Sequence, residues 1–305
     1  MDAEPATPPP AAAAHRRGGF VRHLTGLAWA GHPLPGIVFT LAAGVFALLA
    51  AAAAHRPVDP IVLVRMLLGV YCTQVAIGAT NDYVDRDLDA ASGRAKPIVL
   101  HMIAPWEALA LAAGATLVLL IAVAPLGLLP LGIVLGIEAL GLAYDLRFKG
   151  TPVSALLYAV YFPLNPLLAW VVFGRWQPFL PWLVPLGALL GVAANVANSL
   201  PDLDADRAAG IRGLPHLLGL RAGLAIAWGS PLLLLIIVWS LDLAGIVPAH
   251  APALLAGTAA GVASVALVAA RYLRRPTPET LRLNFTIQGV GMLGIAAGWL
   301  AAVAF

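Results

Sequence analysis

Charge is scarce in this chain. Lys, Arg, Asp and Glu make up 11% of its 305 residues, against about 25% in an average soluble domain, which excludes an ordinary water-exposed surface. Cysteine occurs once, as Cys72, so an internal disulfide and a multi-cysteine metal site are both excluded. Inside an apolar run Cys72 reads as a small apolar filler rather than a reactive thiol. The seven histidines have no metal-binding spacing, and His32 and His216 read as structural or interfacial. No P-loop, dinucleotide fingerprint or Ser/His/Asp grouping is present in the sequence.

Apolar residues are in excess: 61% of the chain is hydrophobic and its mean hydropathy is +0.89. This is the composition of an all-α integral membrane protein. Nine apolar segments, at 33–54, 60–83, 105–124, 127–144, 153–173, 179–200, 222–241, 247–270 and 284–304, are each near the ~20 residues a bilayer requires. Only the break Pro125–Leu126–Gly127 separates the third from the fourth. Residues 1–22 read as a disordered Ala/Pro-rich tail and 23–305 as one membrane domain. The tail carries His15, Arg16, Arg17 and Arg22. The apolar run behind it is too long for a signal-peptide core and reads as an uncleaved first helix.

Basic residues fix an orientation. With the N-terminus cytoplasmic, the inside segments hold Arg16, Arg17, Arg22, Arg86, Arg94, Lys96, Arg147, Lys149, Arg207, Arg212, Arg221, Arg271, Arg274, Arg275 and Arg282, 15 of the 18 Lys and Arg. The outside loops hold only Arg56 and Arg175, while Arg65 lies within the second span. The net charge of +3 is thereby explained by topology, and no nucleic-acid partner is expected.

Against this apolar background the stretch NDYVDRDLD at 81–89 stands out. Charges near a hydrocarbon core are expensive, roughly 2.5–3.5 kcal/mol each on insertion scales. Asn81, Asp85 and Asp89 stand at i, i+4 and i+8 with Asp82 beside them, so one helix face carries all four. Hard oxygen donors of this kind suit Mg²⁺, which takes one or two carboxylates and fills its shell with water and phosphate oxygens. Asn198, Asp202 and Asp206 repeat the spacing, and Gly93 and Gly210 each follow the last aspartate by four. Asp87 and Asp204 fall off the metal face and read as solvated, Asp87 alternatively as paired with Arg86. The repeat is parallel: two four-helix units and a ninth helix surround a central cavity, with both acidic ridges on the cytoplasmic side.

These two motifs resemble the Asp-rich motifs of the UbiA superfamily of intramembrane prenyltransferases. YDLRFKGTP at 144–152 and NSLPDLDADRAAGIRGLPHLLG at 198–219 are similar to that family's Tyr-to-Lys stretch and second motif. The resemblance covers about 30–300. It implies Mg²⁺-dependent ionisation of a prenyl diphosphate to an allylic cation, captured by a small-molecule acceptor within the bilayer of a cell membrane. It assigns Asn81, Asp82, Asp85, Asp89, Asn198, Asp202 and Asp206 to metal and diphosphate. Lys149 is its expected diphosphate contact, with Arg147 in reserve. Arg94, Lys96 and Arg212 are candidates for a cap over the phosphates, and Tyr144 for the phosphates or the allyl group.

Two further polar residues lie within the spans. Gln74, seven before Asn81, is expected to line the cavity. Glu138, seven before Asp145, is expected in the same cavity, as an acceptor base or a partner for Arg65. Arg212-Gly213-Leu214-Pro215 and Ala95-Lys96-Pro97 depart from the family's usual pattern and leave the acceptor class open. Two other functions remain: a cyclase of the same fold that needs no acceptor, and a transporter. The clustering of the acids at one membrane face rather than the midplane argues against the transporter.

Overall fold

A computed structural model describes residues 10–208 and 210–304, with side chains from residue 19 on except at 205 and 208. Among them the regular structure is entirely helical: α1 (Pro10–Ala30), α2 (Pro33–Ala53), α3 (Pro60–Val84), α4 (Arg86–Ala91), α5 (Pro105–Val123), α6 (Leu128–Ala143), α7 (Val153–Phe173), α8 (Leu183–Ser199), α9 (Leu203–Ala208), α10 (Leu214–Leu243), α11 (Ala251–Arg274) and α12 (Pro278–Ala304). All but α1, α4 and α9 are long and apolar enough, with their flanking turns, to cross a bilayer.

Prolines mark the starts. Pro33, Pro60, Pro105 and Pro278 open α2, α3, α5 and α12, at the one helical position where a missing N–H costs nothing. Asp59 completes the start of α3, its carboxylate accepting from the amides of Ile61 at 2.8 Å and Val62 at 3.3 Å. The boundaries of α2, α3, α5, α6 and α7 fall close to those read from the apolar runs. Two helices differ. α10 begins at Leu214, but Gly219 (φ 83°) interrupts it, and the uninterrupted part begins near the expected residue 222. α12 begins at Pro278 rather than 284, because the polar turn containing Glu279 and Arg282 stays helical ahead of the apolar run. The expected N-terminal tail is helical from Pro10 on, consistent with the high helix propensity of its alanines. Residues 1–9 lie outside the described residues.

The helices associate through close contact rather than through expulsion of water, as lipid surroundings require. α3 packs along α5, α7 along α8, and α11 along α12. In the last pair Gly257 and Gly298 approach so closely that a Cβ on Gly298 would meet the Gly257 Cα at 2.5 Å. α2, α3, α6 and α7 touch one another around a central space lined by Phe39, Gln74, Val134, Ile137, Tyr161 and Asn165. α8 and α12 complete the bundle on the other side, and α12 also reaches α2. Large apolar side chains such as Ile61, Ile121, Leu128 and Ile236 are exposed on the outside, the pattern of a lipid-facing surface.

Candidate functional site

The two acidic stretches are built alike. α3 ends at Val84 and α4 starts at Arg86, with Asp85 at the joint. The amide of Asp85 donates to Asn81 O at 2.9 Å and that of Asp89 to Asp85 O at 2.8 Å. The helical ladder therefore continues through the joint, and Asn81, Asp85 and Asp89 stay in register on one side. α4 then ends at Gly93 (φ 65°), where Arg94 N donates back to Asp89 O at 2.9 Å. In the second half α8 passes through the turn Leu200–Asp202 into α9, which stops before Gly210 (φ 78°). Ile211 N donates to Asp206 O at 2.9 Å. The shared glycine four residues after the last aspartate thus supplies the same left-handed stop in both halves.

That stop turns Arg94 back over the acids. Its guanidinium lies 3.5 Å from Asp89 Oδ1 and 3.3 Å from Asp202 Oδ2, so one side chain touches both motifs. Asp202 Oδ1 also accepts from Arg282 Nη2 of α12 at 2.7 Å. Asp82, 1% exposed, holds Lys96 Nζ at 2.6 Å and His32 Nε2 at 2.8 Å on the same oxygen. Asp85 is ion-paired with Lys149. Asn81 Nδ2 donates to Asp145 Oδ1 at 2.7 Å. His216 Nε2 stands 3.3 Å from Asp206 Oδ2, though without the alignment of a hydrogen bond.

Lys149 owes its position to a single π-helical turn, Tyr144–Phe148, after α6. Lys149 N donates to Tyr144 O at 2.7 Å, closing the wider ring, and such turns often mark functional sites. The extra residue changes the phase: Lys149 meets Asp85 while Arg147 is exposed. The amide of Arg212 donates to Gly150 O at 2.9 Å, tying the tail of the second motif to this loop, but its side chain is exposed. Tyr144 packs edge-on against Tyr158, centroids 5.3 Å apart. Tyr158 in turn stacks on Phe162 at 6.0 Å, so an aromatic run leads from the acids into the bundle.

Several expected site residues are not brought to this cluster. Arg147 and Arg212 point outward, and Asn198 is exposed. Glu138 does not face the cavity and does not meet Arg65. It accepts from Thr116 of α5 at 2.5 Å, because its position on α6 looks toward α5, while Arg65 donates to Ala122 O at 3.3 Å. Gln74 does line the cavity. Asp87 and Asp204 sit beside Arg86 and Arg207 on the exposed side. His32, Asp145, His216 and Arg282 were not marked by motif or spacing as parts of the cluster. The partners of His32, Asp145 and Arg282 lie 50, 64 and 80 residues away along the chain, whereas His216 is close to Asp206 inside the stretch 198–219. Only the acid-rich faces themselves hinted that cations must converge there.

Among the described residues no three carboxylates or histidines converge on a preformed metal cage. The donor set nonetheless fits Mg²⁺, which needs only one or two carboxylates. Both oxygens of Asp89 and Oδ2 of Asp82 are buried without a hydrogen-bond donor, a costly state that a cation would relieve. Burial pushes the carboxyl of Asp89 above the ordinary aspartate range despite Lys96 and Arg94 nearby. Burial does the same to Asp206 despite His216. Burial opposes the charge on Lys149, but the Asp85 carboxylate outweighs it and the ammonium is held above its usual value.

The chain is similar to known proteins in sequence and in fold. The profile of the UbiA prenyltransferase family matches residues 36–292. The digeranylgeranylglyceryl phosphate synthase of Natronomonas pharaonis is 34% identical over 173 residues, 54% of this chain and 61% of that protein. The 4-hydroxybenzoate octaprenyltransferase of Nitrosomonas eutropha is 34% identical over 161 residues, 50% of this chain and 55% of that one. The chain therefore matches less than two thirds of the length of these relatives. A solved UbiA homolog from Archaeoglobus fulgidus bound to DMAPP and Mg²⁺ superposes with a TM-score of 0.66 at 19% identity, covering 90% of this chain and 98% of that chain. The apo UbiA homolog from Aeropyrum pernix K1 gives 0.67 at 20% identity, with 86% and 95% covered.

Proposed function

The chain belongs to the UbiA prenyltransferase family, and we propose that it transfers a prenyl group from an isoprenoid diphosphate to an acceptor inside a membrane, with Mg²⁺ as cofactor. The observation that carries this reading is Arg94, whose one guanidinium lies between Asp89 and Asp202. A group that small spans the gap between the motifs, so a single diphosphate with its metal ions spans it too.

In this reading Asn81, Asp82, Asp85, Asp89, Asp202 and Asp206 hold the metal. When bound, Mg²⁺ neutralises the charge that builds on the departing diphosphate. Lys149, Arg94 and Lys96 supply N–H donors to the diphosphate oxygens, the charge-assisted bonds that planar or ammonium cations make best. The allylic C–O bond breaks with its electron pair going to the diphosphate. The acceptor then forms a bond to that carbon and releases a proton. The aromatic run of Tyr144, Tyr158 and Phe162 keeps water from the cation. A homolog of the same fold is bound to a prenyl diphosphate with Mg²⁺, which supports the donor class. Relatives named for 4-hydroxybenzoate support an aromatic acceptor. The excess of Lys and Arg on the loops at this end supports a cytoplasmic site.

The test is diphosphate release by the purified protein from a prenyl diphosphate, with and without Mg²⁺ and with 4-hydroxybenzoate as acceptor. Metal-dependent release with prenylated product supports the reading. Metal-independent release, or none, overturns it.

A further inference from the structure

One cation inside the spans takes no part in the acidic cluster. Arg65 precedes Asp85 by 20 residues along α3, about 30 Å at ~1.5 Å per residue, so it belongs to the other end of the bundle. Its hydrogen bond among the described residues runs from Nη1 to Ala122 O of α5, at 3.3 Å. No salt bridge among them includes it. From Ala108 to Ile137 the chain has no Asp or Glu, so α5 beyond its first turn and the turn into α6 bring no counter-charge. A guanidinium keeps its charge and carries several N–H donors. Most of those on Arg65 are left to its surroundings.

The surroundings are a groove of about 550 Å³ between α3 and α5. Ile61, Val64 and Leu68 of α3 and Val118 and Ile121 of α5 line it together with Arg65. All five apolar side chains are exposed, so the groove opens on the surface that faces lipid. Its volume is that of a site for an organic ligand, roughly 300–1,000 Å³, rather than of one or two waters at ~30 Å³ each.

Depth identifies the ligand. α3 has 25 residues and is about 37 Å long, which exceeds the ~30 Å hydrocarbon core by roughly 7 Å. Arg65 lies five residues inside Pro60, about 7.5 Å along the axis. Its α-carbon is thus within the outermost few ångströms of the hydrocarbon, from which an arginine side chain reaches the headgroups. Leu68 and Val118 lie deeper, about one turn further into the bilayer along α3 and α5. The groove therefore offers a cation at headgroup level and an apolar wall below it, the two chemistries of a phospholipid in that order.

Charge selects among phospholipids. A guanidinium pairs with phosphate oxygens through two parallel N–H donors. The loop before α3 adds Arg56, which is exposed, and Asp59, whose Oδ1 is taken by the amides of Ile61 and Val62. Two arginines against one aspartate leave this end positive, which favours a lipid of net negative charge over a zwitterion.

We propose that the groove between α3 and α5 binds one anionic phospholipid of the leaflet opposite the acidic cluster. The lipid phosphate pairs with Arg65, and one acyl chain runs along Leu68 and Val118. The site stands apart from the proposed active site and does not depend on it.

The test uses the full-length protein in nanodiscs of equal phosphatidylglycerol and phosphatidylcholine with the same acyl chains, released for native mass spectrometry. The wild type is expected to retain one phosphatidylglycerol over phosphatidylcholine by about fivefold or more, the factor one basic residue supplies at an anionic surface. Arg65→Gln is expected to bring the ratio to that of the bilayer. Arg175→Gln, in the loop after α7 and also exposed, is expected to leave it unchanged. Val118→Trp fills the groove while keeping Arg65; it is expected to lower the retained phosphatidylglycerol and serves if Arg65→Gln does not fold. Equal retention of the two lipids by the wild type overturns the site. So does an unchanged ratio in folded Arg65→Gln or Val118→Trp, or a loss in Arg175→Gln as large as in Arg65→Gln.

Discussion

Asp89 and Asp202, from opposite halves of the chain, face one guanidinium, that of Arg94, at 3.5 and 3.3 Å. Two carboxylates so placed repel unless a positive group lies between them. Arg94 fills that role between these two carboxylates.

Replacing Arg94 therefore separates stability from function. The pair is part-exposed, so Arg94→Gln is expected to change stability by less than ~1 kcal/mol. Losing a charged donor to the diphosphate is expected to raise the KM for the prenyl donor, at ~1.5–3 kcal/mol, by about 10- to 100-fold. Thermal unfolding and steady-state kinetics on the same preparation check both.

The π-helical turn makes a paired prediction. Lys149→Met removes the cation on Asp85 and is expected to reduce diphosphate release by at least ~10-fold. Arg147→Met, two residues away and exposed, is expected to stay within about twofold, as surface substitutions do. Equal effects in a release assay would contradict the assignment of Lys149.

Gly93 and Gly210 are held at φ 65° and 78° with open space where a Cβ would stand. Their alanine variants lose stability from backbone strain alone, about 1–2 kcal/mol each. Gly93→Ala also disturbs the turn that aims Arg94 and is expected to raise the KM for the donor. A denaturation midpoint for each variant, compared with its KM, separates the two effects.

The pH dependence follows from Asp89 and Asp206, both raised by burial. A carboxyl with a raised folded-state pKa binds its proton more tightly in the folded protein. The metal-free protein accordingly loses stability as pH rises from the ordinary aspartate value of ~3.9 through the raised ones. Mg²⁺ competes with those protons, so its stabilising effect is expected to grow over the same window. Melting temperatures with and without Mg²⁺ across that range check it; a metal effect that shrinks as pH rises would contradict it.

Much of this architecture was legible in the sequence because two signals are local. Apolar runs of bilayer length, opened by proline in α2, α3 and α5, marked α2, α3, α5, α6 and α7 nearly to the residue. The i, i+4, i+8 spacing placed Asn81, Asp85 and Asp89 together because the ladder survives the joint at Asp85. The cations were less legible. Arg282 meets Asp202 across 80 residues and His32 meets Asp82 across 50, and no periodicity encodes such pairs. Lys149 was the expected contact and Arg147 the reserve, and the π-helical turn leaves Lys149 on Asp85 and Arg147 exposed. Glu138 shared a face with Asp145 only for an unbroken α-helix, and that same turn begins between them.

The central claim is that both acidic ridges serve one diphosphate, and the most direct measurement is Mg²⁺-dependent diphosphate release by Asp85→Asn and Asp202→Asn beside the wild type. Each substitution is nearly isosteric and leaves a neighbouring cation in place, so both variants should keep the wild-type circular dichroism and fold. The account predicts that each alone abolishes release. Wild-type turnover by either folded variant would contradict it.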